Sequence, residues 1–453
     1  MPDIDALKQA VCEAIDQRRE EIIALGDAIL RNPETGFKEV RTAALVAETF
    51  ETLGLRPQTG LALTGVKGRM TNGKSGSGPT LALIGELDSL RVSEHPLADA
   101  TGAAHACGHN AQIAGMIGAA MGLQAAGAPE HLAGDLVFFA VPAEEFIDVE
   151  ERLRMREEGQ LEFLTGKSEL IRLGHFDDVD LAMMIHTKND DGPPAMLCDS
   201  SNGSVIKKIR FLGRAAHAGS KPQIGINALN AASLALQAIA MQRETFYDDD
   251  TIRIHPIITR GGDAVSVVPA EVTLETFVRG RTLEGIVDAN AKVDRCLRAA
   301  ALAIGAEVEI QTIPGYLPQR NDRAMGAFFG ANAQAFFDGA DFPIGGHRTG
   351  STDMGDLGHL MPVIHPYVKG ATGNAHASNW ELADPEHVYI TPAKLLAMTA
   401  IDLLHGDAAA ARKVMEDHQA PMSKEDYLAF CRGLFTQEHY KPDIENGNAE
   451  RKG

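Results

Sequence analysis

Aromatic side chains are scarce in this chain, with one Trp, six Tyr and 5% aromatics overall, so no stacking platform for a base or a sugar can be read from it. Cysteine is also sparse. Cys12, Cys107, Cys198, Cys296 and Cys431 form an odd, scattered set that excludes a regular disulfide framework. Basic residues are in deficit, 42 against 62 acids, for a net charge of -20. That balance excludes a nucleic-acid-binding or anionic-membrane surface, which needs clustered Lys and Arg, and reads simply as solubility. No apolar run approaches the ~20 residues of a membrane span. The first residues, Met1-Pro-Asp-Ile-Asp-Ala-Leu-Lys8, lack a basic start and an apolar core. No signal peptide is expected, and a cytoplasmic location is the default.

What is present is an ordinary globular composition, 44% hydrophobic and 23% charged, over 453 residues, enough for two domains. Apolar positions at helical spacing between 4 and 31 predict one long or two short helices, closed by the turn Asn32-Pro-Glu-Thr-Gly36. Another helix is expected over about 39–53. Helices then alternate with short apolar runs of buried-strand type. Thr80–Gly85 runs into Glu86-Leu-Asp88, Asp135–Val141 stops at Pro142-Ala-Glu-Glu145, and Asp180–Ile185 ends at His186. This alternation predicts a mostly parallel (mixed) sheet flanked by helices. Chemistry in such sheets lies beyond the carboxyl ends of the strands, where Asp88, Glu144, Glu145 and His186 all fall. The charge-rich stretch within 147–178 reads as a solvated excursion or helix, and its position just after the two carboxylates leaves open that it shapes the pocket.

Near 203 the pattern changes to period-two strands and two helices in the order strand-helix-strand-strand-helix-strand, an inserted α+β ferredoxin-like domain. The expected organisation is 1–203 as the first part of a catalytic domain, 204–315 as the insertion and 316–453 as the second part. A loose polar tail is expected after about 440.

The densest chemical signal is His105-Ala-Cys-Gly-His-Asn110, which places Cys107 and His109 two residues apart about a glycine, ahead of a small-residue helix. Without a disulfide framework, such a cluster suggests a transition metal, though two ligands do not complete a site. Glu144 and Glu145 leave a strand as neighbours and point in different directions, so one can bind metal while the other faces water. They equally fit two exposed acids in a loop. His186 reads as a ligand or as a structural histidine. His376 lies in a Gly/Asn/Ser-rich loop, where functional side chains concentrate. With sixteen histidines in the chain, His105, His347 and His365 are rivals.

Taken together, His105-Ala-Cys-Gly-His-Asn, Pro142-Ala-Glu-Glu, His186, Gly213-Arg-Ala-Ala-His-Ala-Gly219 and His376-Ala-Ser-Asn-Trp380 resemble the M20 family of metallo-aminoacylases and carboxypeptidases. Within it they are most similar to the branch that includes the aminobenzoyl-glutamate hydrolase B subunit. Asn32-Pro-Glu-Thr-Gly-Phe-Lys-Glu39 and Gly350-Ser-Thr-Asp-Met-Gly-Asp356 fit the same family. The resemblance implies a zinc-peptidase-like fold with an inserted lid that dimerises, and one or two divalent ions, Zn or Mn. It implies metal binding by Cys107, His109, Glu145, His186 and His376, Glu144 as general base, and Asp88 as a carboxylate orienting a ligand. It further implies that His217 stabilises the oxyanion in a partner subunit's site. Arg279, and secondarily Asn227, would hold a substrate carboxylate. Asn110, Gln112 and Ile84-Gly-Glu86 depart from many aminoacylase-like relatives, which have Asp, His and Arg-Ala-Asp there.

The expected function is hydrolysis of a small N-acyl or N-aroyl amino acid by metal-activated water. The alternatives are hydrolytic deamination of a small aromatic or heterocyclic compound, and a non-catalytic partner subunit that keeps the fold. A homodimer through the lid is expected, or a hetero-oligomer with a paralogous subunit.

Overall fold

The computed structural model describes residues 3–71, 78–189 and 191–443. The expected loose tail lies, from 444 onward, outside the described residues. The chain divides into two compact units, each described by itself: residues 1–201, 319–348 and 352–425 form the first, and 202–318, 349–351 and 426–453 the second. The segment 426–443 was expected to return to the catalytic domain. It goes with the second unit instead, because the strand Thr436–Tyr440 pairs antiparallel with Glu307–Pro314.

The first unit is built on a six-stranded mixed sheet. In spatial order its strands are Gln58–Leu61, Gly65–Met70, Asp135–Val141, Thr80–Glu86, Leu181–Met183 and Val363–Ile364. The last four run parallel, and the first two add an antiparallel edge. Thr80–Glu86 is buried throughout, which explains its continuous apolar run: both faces are covered. The helix His109–Ala125 packs on the sheet, and almost all its residues are buried. Its alanines and glycines are what permit that close approach. Gly118, for example, already lies against Ala393 and Ile22. The N-terminal pattern resolves into two helices, Ile4–Gln17 and Arg19–Leu30.

The charged stretch takes the helical alternative, wet along much of 148–158 but buried in part. It folds into the helices Val149–Glu157 and Gly166–Leu173, and Arg152, Lys167 and Glu169 are buried. Arg152 is buried because Nη1 donates to Leu164 O at 2.8 Å while the guanidinium stacks over Phe37.

The second unit is an antiparallel sheet of Arg253–Ile254, Glu271–Gly280, Gly203–Leu212, Glu307–Pro314 and Thr436–Tyr440, with Ile257–Arg260 also paired to Glu271–Gly280. The helices Ala228–Met241 and Leu283–Ile304 pack on it. Glu271–Gly280 alternates half-buried and buried along its length, as a sheet with one covered face requires. Arg253–Ile254 and Ile257–Arg260 are separate strands, interrupted at Pro256, which has no N–H to give the ladder.

Candidate functional site

Register in the first unit's sheet brings the acidic strand ends level. Glu86 pairs with Val141, and Leu87 N donates to Val141 O at 2.9 Å. The chain then turns at Pro142-Ala143, with Ala143 in the left-handed region at φ 49°. Few non-glycine residues sit there, and the turn is braced from both sides. Ala143 N donates to Glu39 Oε1 at 2.8 Å, and Gly166 N donates to Ala143 O at 3.0 Å. Glu39 also accepts from Thr64 Oγ1 at 2.6 Å. Burial, with Asp88 nearby, pushes its carboxyl up to about 7. The braced turn delivers Glu144 and Glu145 to one place, both buried.

Cys107, His109, Glu145, His186 and His376 converge there. Cys107, His109 and His186 offer one set of ligand atoms lying within 4.8 Å of one another, and Cys107, Glu145 and His376 offer another. Cys107 belongs to both. Its Sγ lies 3.4 Å from His186 Nε2, and His376 Nε2 lies 3.3 Å from Glu145 Oε1. That Oε1 is buried and, beyond this contact with the imidazole, has no hydrogen-bond partner. An orphaned buried carboxylate oxygen beside a thiol and imidazoles is what a cation would satisfy. The donor set therefore fits a divalent metal ion.

Electrostatics points the same way. Burial and Glu145 push the Cys107 thiol up, but His109 and His186 outweigh them and hold it at about 5, the thiolate form a metal needs. Burial lowers His109, and Glu86 and Cys107 more than reverse it. Burial, then Glu86 and Glu145, raise Glu144 well above the usual carboxylate range. Glu145 is held low by His376 despite its burial. His376 itself takes a left-handed backbone at φ 62° and has an exposed side chain, so the centre is open on that side.

Asp88 braces two members at once. His109 Nδ1 lies 2.9 Å from its backbone O and 3.2 Å from its Oδ1, while Oδ2 accepts from Glu145 N at 2.9 Å. A histidine fixed at Nδ1 by a carboxylate presents Nε2 outward, as ligating histidines do. Of the rivals, His365 is buried with its ring 5.6 Å from that of His186, and both its ring nitrogens lack partners. His105 is buried with both ring nitrogens likewise unpartnered, and burial lowers it to about 3. His347 Nδ1 pairs with Ser200 Oγ at 2.9 Å.

Three residues escaped the sequence reading. Glu86 Oε2 lies 3.1 Å from His109 Nε2 and accepts from Gln112 Nε2 at 2.9 Å. Lys167 Nζ is 2.6 Å from Glu86 Oε1 and 2.5 Å from Asp353 Oδ1, and all three side chains are at most 1% exposed. Glu86 and Asp353 both lay inside quoted motifs, and Glu86 shares a strand-end face with Asp88 by the period of two. Lys167 gave no such signal. The Glu-Gln-Lys arrangement explains the departures at Glu86 and Gln112, which hydrogen-bond each other.

In the second unit, His217 is exposed, and its Nδ1 accepts from Gly219 N and Ser220 N at 3.1 Å each. That leaves Nε2 to carry the proton of a neutral ring. Arg279 stacks over Phe277, 4.7 Å from the ring centre. Asn227 Oδ1 caps the helix Ala228–Met241, accepting from Leu229 N and Asn230 N. The cap commits the acceptor end of that side chain to the fold.

Residues 200–304 match the model of the M20 peptidase dimerisation domain. An Xaa-Arg dipeptidase of Mus musculus is 28% identical over 448 residues, covering 94% of this chain and 95% of that protein. Over most of its length the chain is similar to proteins of the M20 family. The B subunit of the p-aminobenzoyl-glutamate hydrolase of Escherichia coli K12 is 28% identical over 323 residues, 68% of this chain and 61% of that one. A solved Bacillus subtilis structure, described as a dinuclear metal-binding peptidase of the M20 family, shares the fold. Its TM-score is 0.64 at 21% identity, covering 86% of this chain and 99% of that one. No helix among the described residues is long and apolar enough to cross a membrane.

Proposed function

We propose that this chain is a metal-dependent amidohydrolase of the M20 type that cleaves a small N-acyl or N-aroyl amino acid. The observation that carries the reading is Cys107 shared by two ligand trios, with the buried Glu144 carboxyl beside them. Cys107, His109, Glu145, His186 and His376 would hold one or two divalent cations, Zn or Mn. When bound, such a cation supplies Lewis acidity, making water nucleophilic at neutral pH and polarising the scissile carbonyl.

Glu144 performs the proton transfers. It takes a proton from the attacking water as the new C–O bond forms and delivers it to the nitrogen as the C–N bond breaks, giving an acid and an amine. Its place among other carboxylates, out of bulk water, suits a group that must both accept and give up a proton. Asp88 keeps His109 and the Glu145 backbone in register. On this reading His217, with its proton on Nε2, donates to the oxyanion in the site of a second subunit. The match to a dimerisation domain supports that assembly. Arg279 offers a planar fork to a substrate carboxylate and so supplies orientation. The names of the relatives, an Xaa-Arg dipeptidase and one subunit of an aminobenzoyl-glutamate hydrolase, agree on an amide to an amino acid and differ in the amino acid.

The test is Glu144→Gln. Elemental analysis is expected to find the same metal per chain as in the wild type, with turnover of N-acyl amino acids down about 10²–10⁴-fold. Unchanged turnover removes Glu144 from the mechanism. Purified wild type that takes up no metal would favour a non-catalytic partner subunit.

A further inference from the structure

None of the residues of Asn32-Pro-Glu-Thr-Gly-Phe-Lys-Glu39 belongs to a ligand trio, yet this segment touches both strand ends behind the candidate centre. On one side Ser89, next to Asp88, donates to Glu34 O from its backbone N at 2.8 Å and from Oγ at 3.0 Å. On the other, Glu39 Oε1 accepts at 2.8 Å from the N–H of Ala143, the residue before Glu144. Between these two contacts Gly36 lies so close to the turn that a Cβ there would stand 2.8 Å from Ala143 Cα. The segment is itself held at both ends. The Glu34 carboxylate accepts from Arg41 N and from Thr42 N and Oγ1, at the start of the helix Val40–Thr52. Thr64 Oγ1 donates to Glu39 Oε2 at 2.6 Å.

Glu39 is an expensive group to place there. Its side chain is fully buried, and among the described residues it makes no ion pair. Asp88, a second buried carboxylate, lies near enough to repel it. An apolar side chain would avoid both penalties. It could not, however, accept from Ala143 N, which would be left buried and unpaired in a left-handed turn. Ionised or protonated, the carboxyl keeps an oxygen for that bond, so the contact does not depend on its charge. We propose that Glu39 is a positioning residue: acting through Ala143, it fixes the bearing of Glu144 on the ligand cluster and so governs proton transfer rather than substrate binding. The effect on rate rests on the amidohydrolase reading, whereas the hold on the turn stands on these contacts alone.

The experiment uses the full-length protein. Amide hydrogen exchange of a peptide covering Ala143, followed by mass spectrometry on metal-free protein, reads the turn. For the consequence, kcat and KM are measured per metal-bearing chain on the N-acyl amino acid that the wild type cleaves fastest. Glu39→Met removes the acceptor and fills similar space. Exchange at the turn is expected to rise about tenfold, the scale of one hydrogen bond, and kcat to fall about 10–100-fold with KM within about twofold. Glu39→Gln, whose amide oxygen can accept from Ala143 N while its nitrogen donates to Thr64, is expected to keep both near wild type. Wild-type exchange or wild-type kcat in Glu39→Met overturns the proposal, as does a loss carried by KM. Equal losses in Glu39→Gln and Glu39→Met overturn it too, since charge and not the bond would then matter. Should Glu39→Met fail to fold, Thr64→Val, which takes away the hydroxyl that steers Glu39, is expected to lower kcat about three- to tenfold by the same route, and an unchanged kcat there overturns the proposal. If the wild type cleaves no N-acyl amino acid while exchange still rises in Glu39→Met and not in Glu39→Gln, the hold on the turn is upheld and the amidohydrolase reading fails.

Discussion

Replacing Lys167 with Met tests the buried network behind the candidate centre. In the wild type one ammonium serves two carboxylates, Glu86 at 2.6 Å and Asp353 at 2.5 Å, where water has no access. Methionine fills similar space, so the perturbation is chiefly electrostatic. Two buried carboxylates lose their counter-ion, while the Gln112 bond to Glu86 and the residue 167 backbone bond to Asp353 at 3.1 Å remain. Breaking a buried pair from one side costs about 3–5 kcal/mol, which for a unit of this size lowers Tm by on the order of 10 °C.

The pH dependence has a definite sign. Burial pushes Glu86 up from 4.5, but Lys167 and His109 overcome it and hold the group at about 2. Its contribution to stability is therefore complete above 4.5 and is lost as pH falls toward 2. Asp353 is pushed up to about 6 by burial, only partly opposed by Lys167. Without the ammonium both carboxyls rise further, and the variant loses stability as pH climbs toward neutrality. The gap between wild type and Lys167→Met is expected to be widest near pH 7.5 and to shrink near pH 5. Adding Glu86→Gln and Asp353→Asn removes the stranded charges and restores most of the lost Tm. Thermal unfolding at the two pH values checks this. A Lys167→Met variant within about 2 °C of wild type at pH 7.5 would refute the reasoning.

Cys107→Ser removes the donor common to both trios. Metal affinity is expected to fall by more than the ~10–100-fold that loss of an outer partner costs, and competition with a chelator measures it; unaltered affinity would exclude Cys107 as a ligand. Gly166→Ala would put a Cβ 1.7 Å from Pro142 O, a backbone atom of the turn that carries Glu144 and Glu145. The loss is expected to exceed the ~1–3 kcal/mol of ordinary overpacking, with metal content falling too, and a normal Tm would show that the turn yields freely.

Local pattern determined the fold class and pointed to the ligand types. Apolar runs such as Asp135–Val141 could only be buried strands, and Cys107 with His109 is legible because both ligands leave one short turn. Strand-end placement singled out Asp88, Glu144, Glu145 and His186 by the same logic, since a parallel sheet gathers its carboxyl ends. What joins residues far apart in the chain left no such trace. Lys167 lies 186 positions from Asp353, in a stretch whose charge density reads as solvent-facing until its helix is packed against the strand ends. Arg253 opposite Arg279 is likewise a fact of register, set by where Pro256 interrupts one strand and how the other pairs. Sequence can say which groups are able to bind or carry charge. Which of them share a dry space, and so which charges must answer one another, is decided only when burial removes the water between them.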